Sequence, residues 1–504
     1  EGHVGIEMLL EIAAAGIGDR PIIGPLSEDV TPVRLQSMAL SGAAAVVESG
    51  ADALVYVAGN GPEFAASLFA AAYAGVPLVP LNYRLGGAQL QDLLARHPDA
   101  FVVVDTEMVA SDATIPDGAV PFNAWRDVLS GSPVANQLGH DDASPAVLIY
   151  TSGTTSAPKG VVLRHANLVS YVLGSTEFAS AAETDAALMS VPPYHIAAIA
   201  NVLTNLYSGR RLVSLERFSP DAWLTLVREE CVTSAFVVPT MLSRIMASDD
   251  PPAIPSLRHL SYGGAPMPAS VIRRALEVWP NVKFVNAYGL TETSSTVSLL
   301  GPEDHRLALS SPDPAVQARL SSVGTPLPGV VVEIRDDDGQ PVGSGVVGRI
   351  HLTGAQVSGE YAGQKPLTDD RSFFDTRDLG YLDSDGYLFI LGRSDDTIIR
   401  GAENIAPAEI EDVMIGHPSI EDVAVVGLPD EEWGQRIVAV AILDPRQAPV
   451  GSDELRQFVG SKLRSSKTPD EIEFWEQLPR TETGKLVRRE VSARLLERES
   501  VDNT

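Results

Sequence analysis

The sequence predicts an α/β protein with a large N-terminal domain of parallel-type sheets, a β-rich subdomain and a small α+β C-terminal domain. In residues 1 to about 145, and again from 212 to 287, short apolar runs alternate with helical runs, as in parallel sheets covered by helices. From about residue 323 turn and hairpin signals replace this alternation, and a smaller mixed unit follows from about 397. A chain of 504 residues also exceeds what one hydrophobic core organises.

The composition excludes some classes of partner. The chain carries 37 basic and 66 acidic residues, a formal charge of −29. Because binding to nucleic acids and anionic membranes needs basic surface, we expect no nucleic-acid partner. The one cysteine, Cys231, excludes an intramolecular disulfide, and its place between a helical run and a strand-like run predicts a buried, inert thiol.

The N-terminus and the longest apolar stretch indicate where in the cell the protein is expected to be. The first residues include Glu1, Glu7 and Glu11 and lack a basic region, so we expect no signal peptide. The apolar stretch 64–82 contains Gly75 and two prolines, which predicts a helix, a turn and a strand rather than a membrane span. We therefore expect a cytoplasmic protein without integral membrane contact.

The first alternating region leads into an unusual polar loop. Its predicted elements are strands at 53–58 and 101–105, a helix at 64–73, and strands at 146–150 and 161–163. Between the last two strands lies Thr151–Gly160, reading Thr-Ser-Gly-Thr-Thr-Ser-Ala-Pro-Lys-Gly. Hydroxyls, bare backbone N–H groups and one lysine suit a polyphosphate, although a surface turn rich in serine and threonine is the plain alternative. The common P-loop is excluded, since Lys159 follows a proline and a strand comes next.

After the Thr151–Gly160 loop, a histidine lies at a predicted strand-to-helix corner. His195 comes after two prolines and precedes the apolar run 196–206. A lone histidine is more often structural than catalytic. The run behind it is interpreted as either a core helix or a pocket wall.

The second alternating region brings three candidate elements to one sheet edge. It predicts strands at 212–215, 234–238, 259–262 and 283–287, with helices at 221–230, 241–247 and 269–278. In open α/β sheets ligands bind at the carboxyl ends of strands. Pro239-Thr240, Gly263–Pro266 and Tyr288–Glu292 fall at such ends. Each alone could be an ordinary turn.

The last third carries two more polar motifs. Thr376–Gly380 lies among hairpins, where Asp378 is either a ribose ligand or an ordinary turn aspartate. Beyond it we predict helices at 408–415 and 453–463, the latter capped by Ser452, and strands at 421–427 and 437–443. Near the end, Pro479–Lys485 is a polar loop whose lysine could simply be solvated.

Taken together, these motifs resemble the adenylate-forming (AMP-binding) superfamily, most of all its acyl-CoA synthetases, which are acid–thiol ligases. The matching segments, in family order and spanning nearly the whole chain, are 150–160, 193–195, 263–266, 286–292, 376–380, 392–411 and 479–485. The resemblance implies ATP, Mg²⁺ and coenzyme A as reactants and cofactors. It implies that a carboxylic acid is converted to acyl-AMP with release of pyrophosphate, and that the acyl group then passes to the coenzyme A thiol.

The resemblance also implies roles for particular residues. The catalytic residues would be Lys485, Thr291, Glu292, which would also hold the metal, and His195. The ATP- or AMP-binding residues would be Thr151, Ser152, Gly153, Thr154, Thr155, Lys159, Gly264, Ala265, Pro266, Asn286, Ala287, Tyr288, Gly289, Thr291, Asp378, Ile390, Arg393 and Lys485. In this set Tyr288 would stack on adenine, Asn286 would lie near its amino edge, and Asp378 and Arg393 would hold the ribose. The acid pocket would comprise His195, Ala198, Ile199, Val238, Pro239, Gly263 and Gly264.

A domain rotation between the two steps is a further implication. Residues 1–392 would bind ATP and the acid, 393–396 would be the hinge with Asp395 at its centre, and 397–504 would carry Lys485. Lys485 would enter the site for adenylation and leave for the thiol step, in which Gly401, Ala402 and Glu403 would face the site. The enzyme is expected to be a monomer or a homodimer.

The chain departs from the family pattern at three places. Ser156 stands where the family loop has glycine, and a left-handed backbone there would cost roughly 1–2 kcal/mol. Ala198 replaces another common glycine, and the usual glycine–tyrosine pair is interrupted in Gly359-Glu360-Tyr361.

The residues of the expected pocket restrict the substrate. Its walls are small and apolar and contain no lysine, arginine or aspartate, which disfavours a second carboxylate or an amino group on the acid. We expect a medium-to-large apolar acid. The alternatives are an enzyme that releases acyl-AMP or loads a carrier-protein thiol, and a non-catalytic acyl-AMP binding protein.

Overall fold

The computed structural model describes residues 5–27, 30–132, 144–151, 158–247, 253–400, 403–430, 433–481 and 484–502. The first part of the chain builds a six-stranded sheet in the order β4-β3-β1-β2-β5-β6. Its elements are α1 (Ile6–Gly16), α2 (Pro32–Ser49), β1 (Leu54–Val57), α3 (Pro62–Ala74), β2 (Leu78–Pro80), α4 (Gly87–Leu94), β3 (Phe101–Val104), β4 (Val120–Pro121), α5 (Phe122–Leu129), β5 (Pro145–Thr151), β6 (Lys159–Arg164) and α6 (His165–Ser175).

This sheet is buried on both faces. Leu54 and Tyr56 of β1 pack into one hydrophobic cluster, while their neighbours Val55 and Val57 pack into another. Strands β1 to β5 pair in parallel, and β6 returns antiparallel to β5. Continuous apolar strands without an exposed face are what helices on both sides of a parallel sheet require.

A seven-stranded sheet follows, in the order β13-β12-β11-β10-β9-β7-β8. Its elements are β7 (Ala186–Met189), α7 (Ile196–Ser208), β8 (Arg211–Ser214), α8 (Pro220–Glu229), β9 (Ser234–Val237), α9 (Pro239–Met246), β10 (His259–Gly263), α10 (Ala269–Val278), β11 (Lys283–Leu290), β12 (Ser295–Leu300), α11 (Pro302–Ser310), α12 (Pro314–Ala318) and β13 (Thr325–Pro326). Strands β7 to β11 are parallel, and β12 and β13 are antiparallel additions.

The remaining chain forms an antiparallel sheet and then a separate small core. The sheet consists of β14 (Val331–Arg335), β15 (Gly348–Thr353), β16 (Phe374–Leu382) and β17 (Leu388–Arg393). The last part consists of β18 (Ile398–Arg400), β19 (Glu403–Ile405), α13 (Pro407–Ile415), β20 (Ile420–Asp430), β21 (Gly434–Leu443), α14 (Ser452–Lys462), β22 (Glu471–Phe474) and α15 (Arg488–Asp502). Its two hydrophobic clusters contain residues from Ile398 onward. The predicted α/β class, with a β-rich part and a smaller C-terminal unit, is confirmed, while the exact domain boundaries stay a prediction.

Two local predictions were wrong. Cys231 is exposed rather than buried, because it lies in the turn after α8 with a positive φ of 49°, where its side chain points away from the core. Ser452 is the first residue of α14 rather than its cap, which is Gly451. Among the described residues no helix is long and apolar enough to cross a membrane.

Candidate active site

Parallel pairing brings together the three motifs that lie at the carboxyl ends of β9, β10 and β11; this side of the sheet is called the strand-end edge here. Strands β9, β10 and β11 are neighbours, and Gly263 at the end of β10 lies opposite Ala287 of β11. A Cβ on Gly263 would come within 2.2 Å of the Ala287 carbonyl oxygen, so only glycine permits this approach. Gly264 has a φ of +83°, a conformation that favours glycine, and turns the chain at the sheet edge. The predicted gathering of these motifs at one edge is therefore present.

A buried carboxylate with two donors occupies the neighbouring antiparallel sheet. Asp378 of β16 is 5% exposed and lies opposite Arg393 of β17. The Tyr288 hydroxyl donates to one Asp378 oxygen at 2.5 Å, and Arg393 Nη1 donates to the other at 3.0 Å. Burial raises the pKa of Asp378, while Arg393 opposes that shift. Asp378 is thus a strand residue in a hydrogen-bond network, not an ordinary turn aspartate.

The side chains near this network have defined environments. Tyr288 and Ile390 both pack against the hydrophobic cluster between the two sheets. Asn286 is buried, and its amide Nδ2 donates to the Ser322 carbonyl oxygen at 2.9 Å. Contact of these residues with adenine stays a prediction.

The turn after β11 presents Thr291 and Glu292. Residues Thr291–Thr293 form a short 3₁₀ helix, and a bulge at Tyr288/Gly289 precedes it. Glu292 Oε1 accepts a hydrogen bond from the Tyr361 hydroxyl at 2.7 Å. The same Tyr361 ring has the Lys159 ammonium 5.4 Å from its centroid. The predicted metal ligand and the predicted phosphate lysine therefore share one aromatic neighbour.

Lys485 reaches this site from the C-terminal part of the chain. Although the residue has exposed surface, burial of its ammonium group lowers its pKa, and the charge of Arg393 lowers it further. The charges of Asp378, Asp396 and Glu292 act in the opposite direction. Lys485 therefore lies within electrostatic range of the groups predicted to bind ribose and metal.

The loop that carries Lys485 is held from both sides. Arg480 donates to Asp422 at 2.6 and 3.1 Å and to the Gly484 carbonyl oxygen at 2.7 Å. The Thr481 N–H donates to the Lys485 carbonyl oxygen at 2.8 Å. A Cβ on Gly484 would come within 2.2 Å of Oγ1 of Thr240, which lies in the first turn of α9, directly after β9. The loop thus sits directly against the strand-end edge.

His195 is the N-cap residue of α7 and is half-buried. Burial, with a smaller contribution from the positive charge of Arg84, lowers the pKa of His195 to about 4. Its Nε2 is buried and has no hydrogen-bond partner among the described residues. At neutral pH the imidazole is therefore uncharged, and its role in the reaction stays a prediction.

The other residues of the expected acid pocket differ in exposure. Ala198, Ile199 and Val238 are almost completely buried in the hydrophobic clusters. Half-buried residues beside them are Ile196, Ala197 and Phe236. The apolar character expected of this region is present, and the pocket assignment itself remains a prediction.

Several predicted residues lie outside the described parts of the chain. These are Ser152, Gly153, Thr154, Thr155, Ser156, Gly401 and Ala402. Thr151 and Lys159, which flank the phosphate loop, pair across β5 and β6. Glu403 pairs with Arg400 in the β18–β19 hairpin, and Asp395 lies in a 3₁₀ turn, 3.9 Å from the Arg377 guanidinium.

Comparison with known proteins decides the family. Residues 19–362 match the AMP-binding enzyme family, and residues 409–485 match the AMP-binding enzyme C-terminal domain. The chain belongs to the AMP-binding enzyme family. The resemblance found in the motifs is thereby confirmed.

Similar proteins include enzymes that act on different acids. A feruloyl-CoA synthase from an Amycolatopsis species is 34% identical over 459 residues, 88% of this chain and 89% of that protein. The fatty acid–[acyl-carrier-protein] ligase ScoC from Streptomyces coeruleorubidus is 33% identical over 461 residues, 88% of this chain and 86% of that protein. The o-succinylbenzoate CoA synthetase MenE from Bacillus subtilis, in complex with an acyl-adenylate intermediate, has a TM-score of 0.81 at 26% identity, covering 96% and 97% of the two chains.

The donor set of this AMP-binding enzyme fits a magnesium ion that binds with a nucleotide. Glu292 offers one carboxylate, and no group of three or more acidic, histidine or cysteine side chains able to hold a metal occurs in the described ranges. Mg²⁺ commonly uses one or two carboxylates and completes its shell with phosphate oxygens and water. Glu292 would therefore hold Mg²⁺ together with the phosphates of ATP.

Sequence reasoning missed three features of the site. Tyr361 was noted only as a departure from a family pattern, although it contacts Glu292. Arg377, beside Asp378, has a positive φ of 60°, which no residue pattern indicates. A cleft next to the lysine loop gathers four arginines from distant segments, Arg84, Arg217, Arg244 and Arg480. Local sequence carries no signal for such a cluster.

Proposed function

We propose that this AMP-binding enzyme is an acyl-CoA synthetase. A substrate carboxylate oxygen attacks the α-phosphorus of ATP, the bond to pyrophosphate breaks, and acyl-AMP forms. The thiol of coenzyme A then attacks the acyl carbonyl carbon, and AMP leaves. The observation that carries this proposal is the position of the lysine loop: Gly484 lies against Thr240, and Lys485 is within electrostatic range of Glu292, Asp378 and Arg393.

The first step brings anions together, so it needs positive charge at the point of reaction. Lys485 supplies that charge at the site edge, where a lowered pKa reflects partial withdrawal from water. Asp378, oriented by Tyr288 and Arg393, would take the ribose hydroxyls. Mg²⁺ held with Glu292 would offset phosphate charge, and Lys159 at the end of the phosphate loop would assist.

We infer a medium-to-large apolar acid as the substrate. Ile196, Ala197 and Phe236 offer half-buried apolar surface near the strand-end edge. No lysine or arginine lies in 195–201 or 236–240 to pair a second carboxylate. The names of the relatives, which include ferulate and fatty acid ligases, are consistent with an acid of this class.

A positively charged cleft supports coenzyme A as the acyl acceptor. The cleft has a volume of about 310 Å³ and is lined by four arginines and one glutamate: Arg84, Arg217, Arg244, Arg480 and Glu216. Although Arg480 is paired with Asp422, the arginines outnumber the acidic groups. In a chain of net charge −29, such a concentration of arginine favours a phosphate-bearing small molecule. The cytoplasmic location and the monomeric or homodimeric state remain predictions.

Loading of a carrier-protein thiol is the second candidate. ScoC, one of the similar proteins, is named as such a ligase. A non-catalytic acyl-AMP binding protein is disfavoured, because Lys485, Glu292 and Asp378 all occur in one site.

The test is a panel of acids. The enzyme is incubated with ATP, Mg²⁺, labelled pyrophosphate and fatty, aromatic, polycyclic, dicarboxylic or amino acids. We expect exchange with one or more of the apolar acids, and failure with every acid would contradict the proposed function. The active acid is then offered with coenzyme A or with a phosphopantetheinylated carrier protein, and mass spectrometry identifies the thioester. A thioester on the carrier alone would replace the first candidate by the second.

A further inference from the structure

Tyr361 connects two charged groups from distant parts of the chain. Its hydroxyl donates to Glu292 Oε1 at 2.7 Å, in the turn that follows β11. Its ring lies 5.4 Å from the ammonium nitrogen of Lys159, at the start of β6. A cation over an aromatic ring is held by the ring quadrupole. One side chain therefore contacts both the metal carboxylate and the lysine that borders the phosphate loop.

The backbone around Tyr361 is fixed on both sides. Residues 358–362, called the strap here, run antiparallel to β6: the Ala362 N–H donates to the Gly160 carbonyl oxygen at 2.8 Å, and the Val162 N–H donates to the Glu360 carbonyl oxygen at 3.0 Å. At its other end the N–H groups of residues 358 and 359 donate to the Glu292 carbonyl oxygen at 2.9 and 3.2 Å. The strap thus joins the edge strand of one sheet to the turn of the other.

Glu360, which separates Gly359 from Tyr361, holds the strap in place. Glu360 accepts two hydrogen bonds from the Arg164 guanidinium, at 2.8 and 3.0 Å. A bidentate arginine–carboxylate pair restricts both position and orientation. Because Arg164 ends β6, this pair keeps Tyr361 in register with the strand that begins at Lys159.

We propose that Tyr361 is a positioning residue that orients the Glu292 carboxylate for the metal and holds Lys159 beside the phosphate loop. The proposal rests on the proposed ATP-dependent function. A carboxylate with one oxygen fixed by a phenol presents its other oxygen in a defined direction. Loss of such a partner of a metal ligand typically lowers metal affinity 10–100-fold.

Tyr361→Phe tests the hydrogen bond, because it keeps the ring and removes the hydroxyl. Binding of Mn²⁺, used in place of Mg²⁺, to the enzyme with a non-hydrolysable ATP analogue is measured by electron paramagnetic resonance. We expect the variant to bind Mn²⁺ about 10–100-fold more weakly. In pyrophosphate exchange, the Mg²⁺ concentration for half-maximal rate should rise by a similar factor, while KM for the acid stays unchanged.

Tyr387→Phe is the matched control. Tyr387 donates to Asp304 at the same distance, 2.7 Å, and neither residue belongs to the predicted site. This variant should bind Mn²⁺ like the unchanged enzyme. Unaltered Mn²⁺ affinity in Tyr361→Phe, or an equal loss in both variants, would overturn the proposal.

A second variant tests the contact with Lys159. Tyr361→Leu also removes the ring, so the ATP analogue itself should bind more weakly than it does to Tyr361→Phe. Equal nucleotide affinity in the two variants would overturn the lysine part of the proposal. The Mn²⁺ titration needs no acid, so it distinguishes failure of this inference from failure of the proposed function, which the acid panel reports.

Discussion

At the scale of single residues, Asp378 shows how a buried charge is tolerated in the site. Withdrawal of a carboxylate from water costs several kcal/mol unless partners offset it. Tyr288 and Arg393 supply two donors, at 2.5 and 3.0 Å. The neighbouring Arg377 adopts a φ of 60°, a backbone strain of order 1–3 kcal/mol for a residue other than glycine. Strain of this size is typical of functional sites.

Lys485 carries the first prediction. Lys485→Ala should lower the rate of acid-dependent pyrophosphate exchange by roughly 10²–10³, because a preorganised charge is lost from the transition state. Thiolysis of supplied acyl-AMP should change little, since that step follows departure of the lysine in the implied rotation. Both rates are measured separately in the same preparation.

The control for this variant is Lys467→Ala. Lys467 pairs with Glu409 at 2.6 Å within the C-terminal part of the chain, so its loss alters that part without changing the site. Both half-reactions should persist in it. An equal loss of exchange and thiolysis in Lys485→Ala would contradict a role confined to adenylation.

At the scale of elements, helix α11 is tied to the end of β10 by a buried pair. His305 Nδ1 donates to the Gly301 carbonyl oxygen at 2.6 Å, because a carbonyl can only accept. Its Nε2 then accepts from the Tyr262 hydroxyl at 2.8 Å. Burial lowers the pKa of His305 to about 4. The imidazole is therefore neutral and structural, next to the glycines of the strand-end edge.

This pair predicts how stability depends on pH. Above about pH 6.5 His305 is neutral in both the folded and the unfolded chain. Between about 6.5 and 4 the unfolded chain takes up a proton that the folded chain does not, so the free energy of unfolding should fall as pH falls. The shift corresponds to a loss on the order of 3 kcal/mol. Urea unfolding at pH 7.5, 6 and 5 should show roughly 2 kcal/mol of that loss by pH 5.

His305→Gln separates this histidine from the other titrating groups. Glutamine can still donate to Gly301 and accept from Tyr262, but it does not titrate. Its unfolding free energy should depend less on pH over the same range than that of the unchanged protein. Identical pH profiles for the unchanged protein and His305→Gln would refute the assignment.

At the scale of the whole molecule, two of the contacts between the described C-terminal part and the larger part lie beside the site. Gly484 lies against Thr240, and the Arg446 guanidinium donates to the Ala247 carbonyl oxygen at 3.0 Å. Both contacts involve α9 or its ends. Together with the position of Lys485, they place the lysine loop at the site, which is the arrangement that the implied rotation assigns to adenylation.

A disulfide across this contact tests the implied rotation. A Cβ on Gly484 would lie 3.1 Å from the Thr240 Cβ, slightly closer than the roughly 3.5–4.5 Å of a disulfide. Gly484 also has a φ of +78°, which costs a cysteine roughly 1–2 kcal/mol, so the bond requires a small displacement of the loop. Thr240→Cys with Gly484→Cys, in a Cys231→Ser background, should retain pyrophosphate exchange when oxidised but form little thioester. A reductant should restore the thiol step.

The single-cysteine variants control for the substitutions themselves. Each should show the same activities with and without reductant. Undiminished thioester formation by the oxidised double variant would show that the thiol step needs no movement at this contact.

Residue patterns alone were enough to predict the fold class, the order of the motifs and the family. Strands such as β1 and β11 were predictable because alternation of apolar runs and helical runs is a local property of the chain. Motifs such as Gly263–Pro266 were recognisable since glycine at a tight approach and polar residues at strand ends leave a local pattern. The exposure of Cys231 was not predictable, because it depends on the direction in which the turn after α8 orients this side chain.

Which distant groups meet became visible only in the folded chain. Lys485 approaches Asp378, Tyr361 contacts both Glu292 and Lys159, and the arginine cleft collects residues from across the chain. The physical reason is that these contacts follow from packing between sheets and between the two parts of the molecule. Local propensity determines strands and helices, whereas the position of one charge beside another depends on how all of them are packed together.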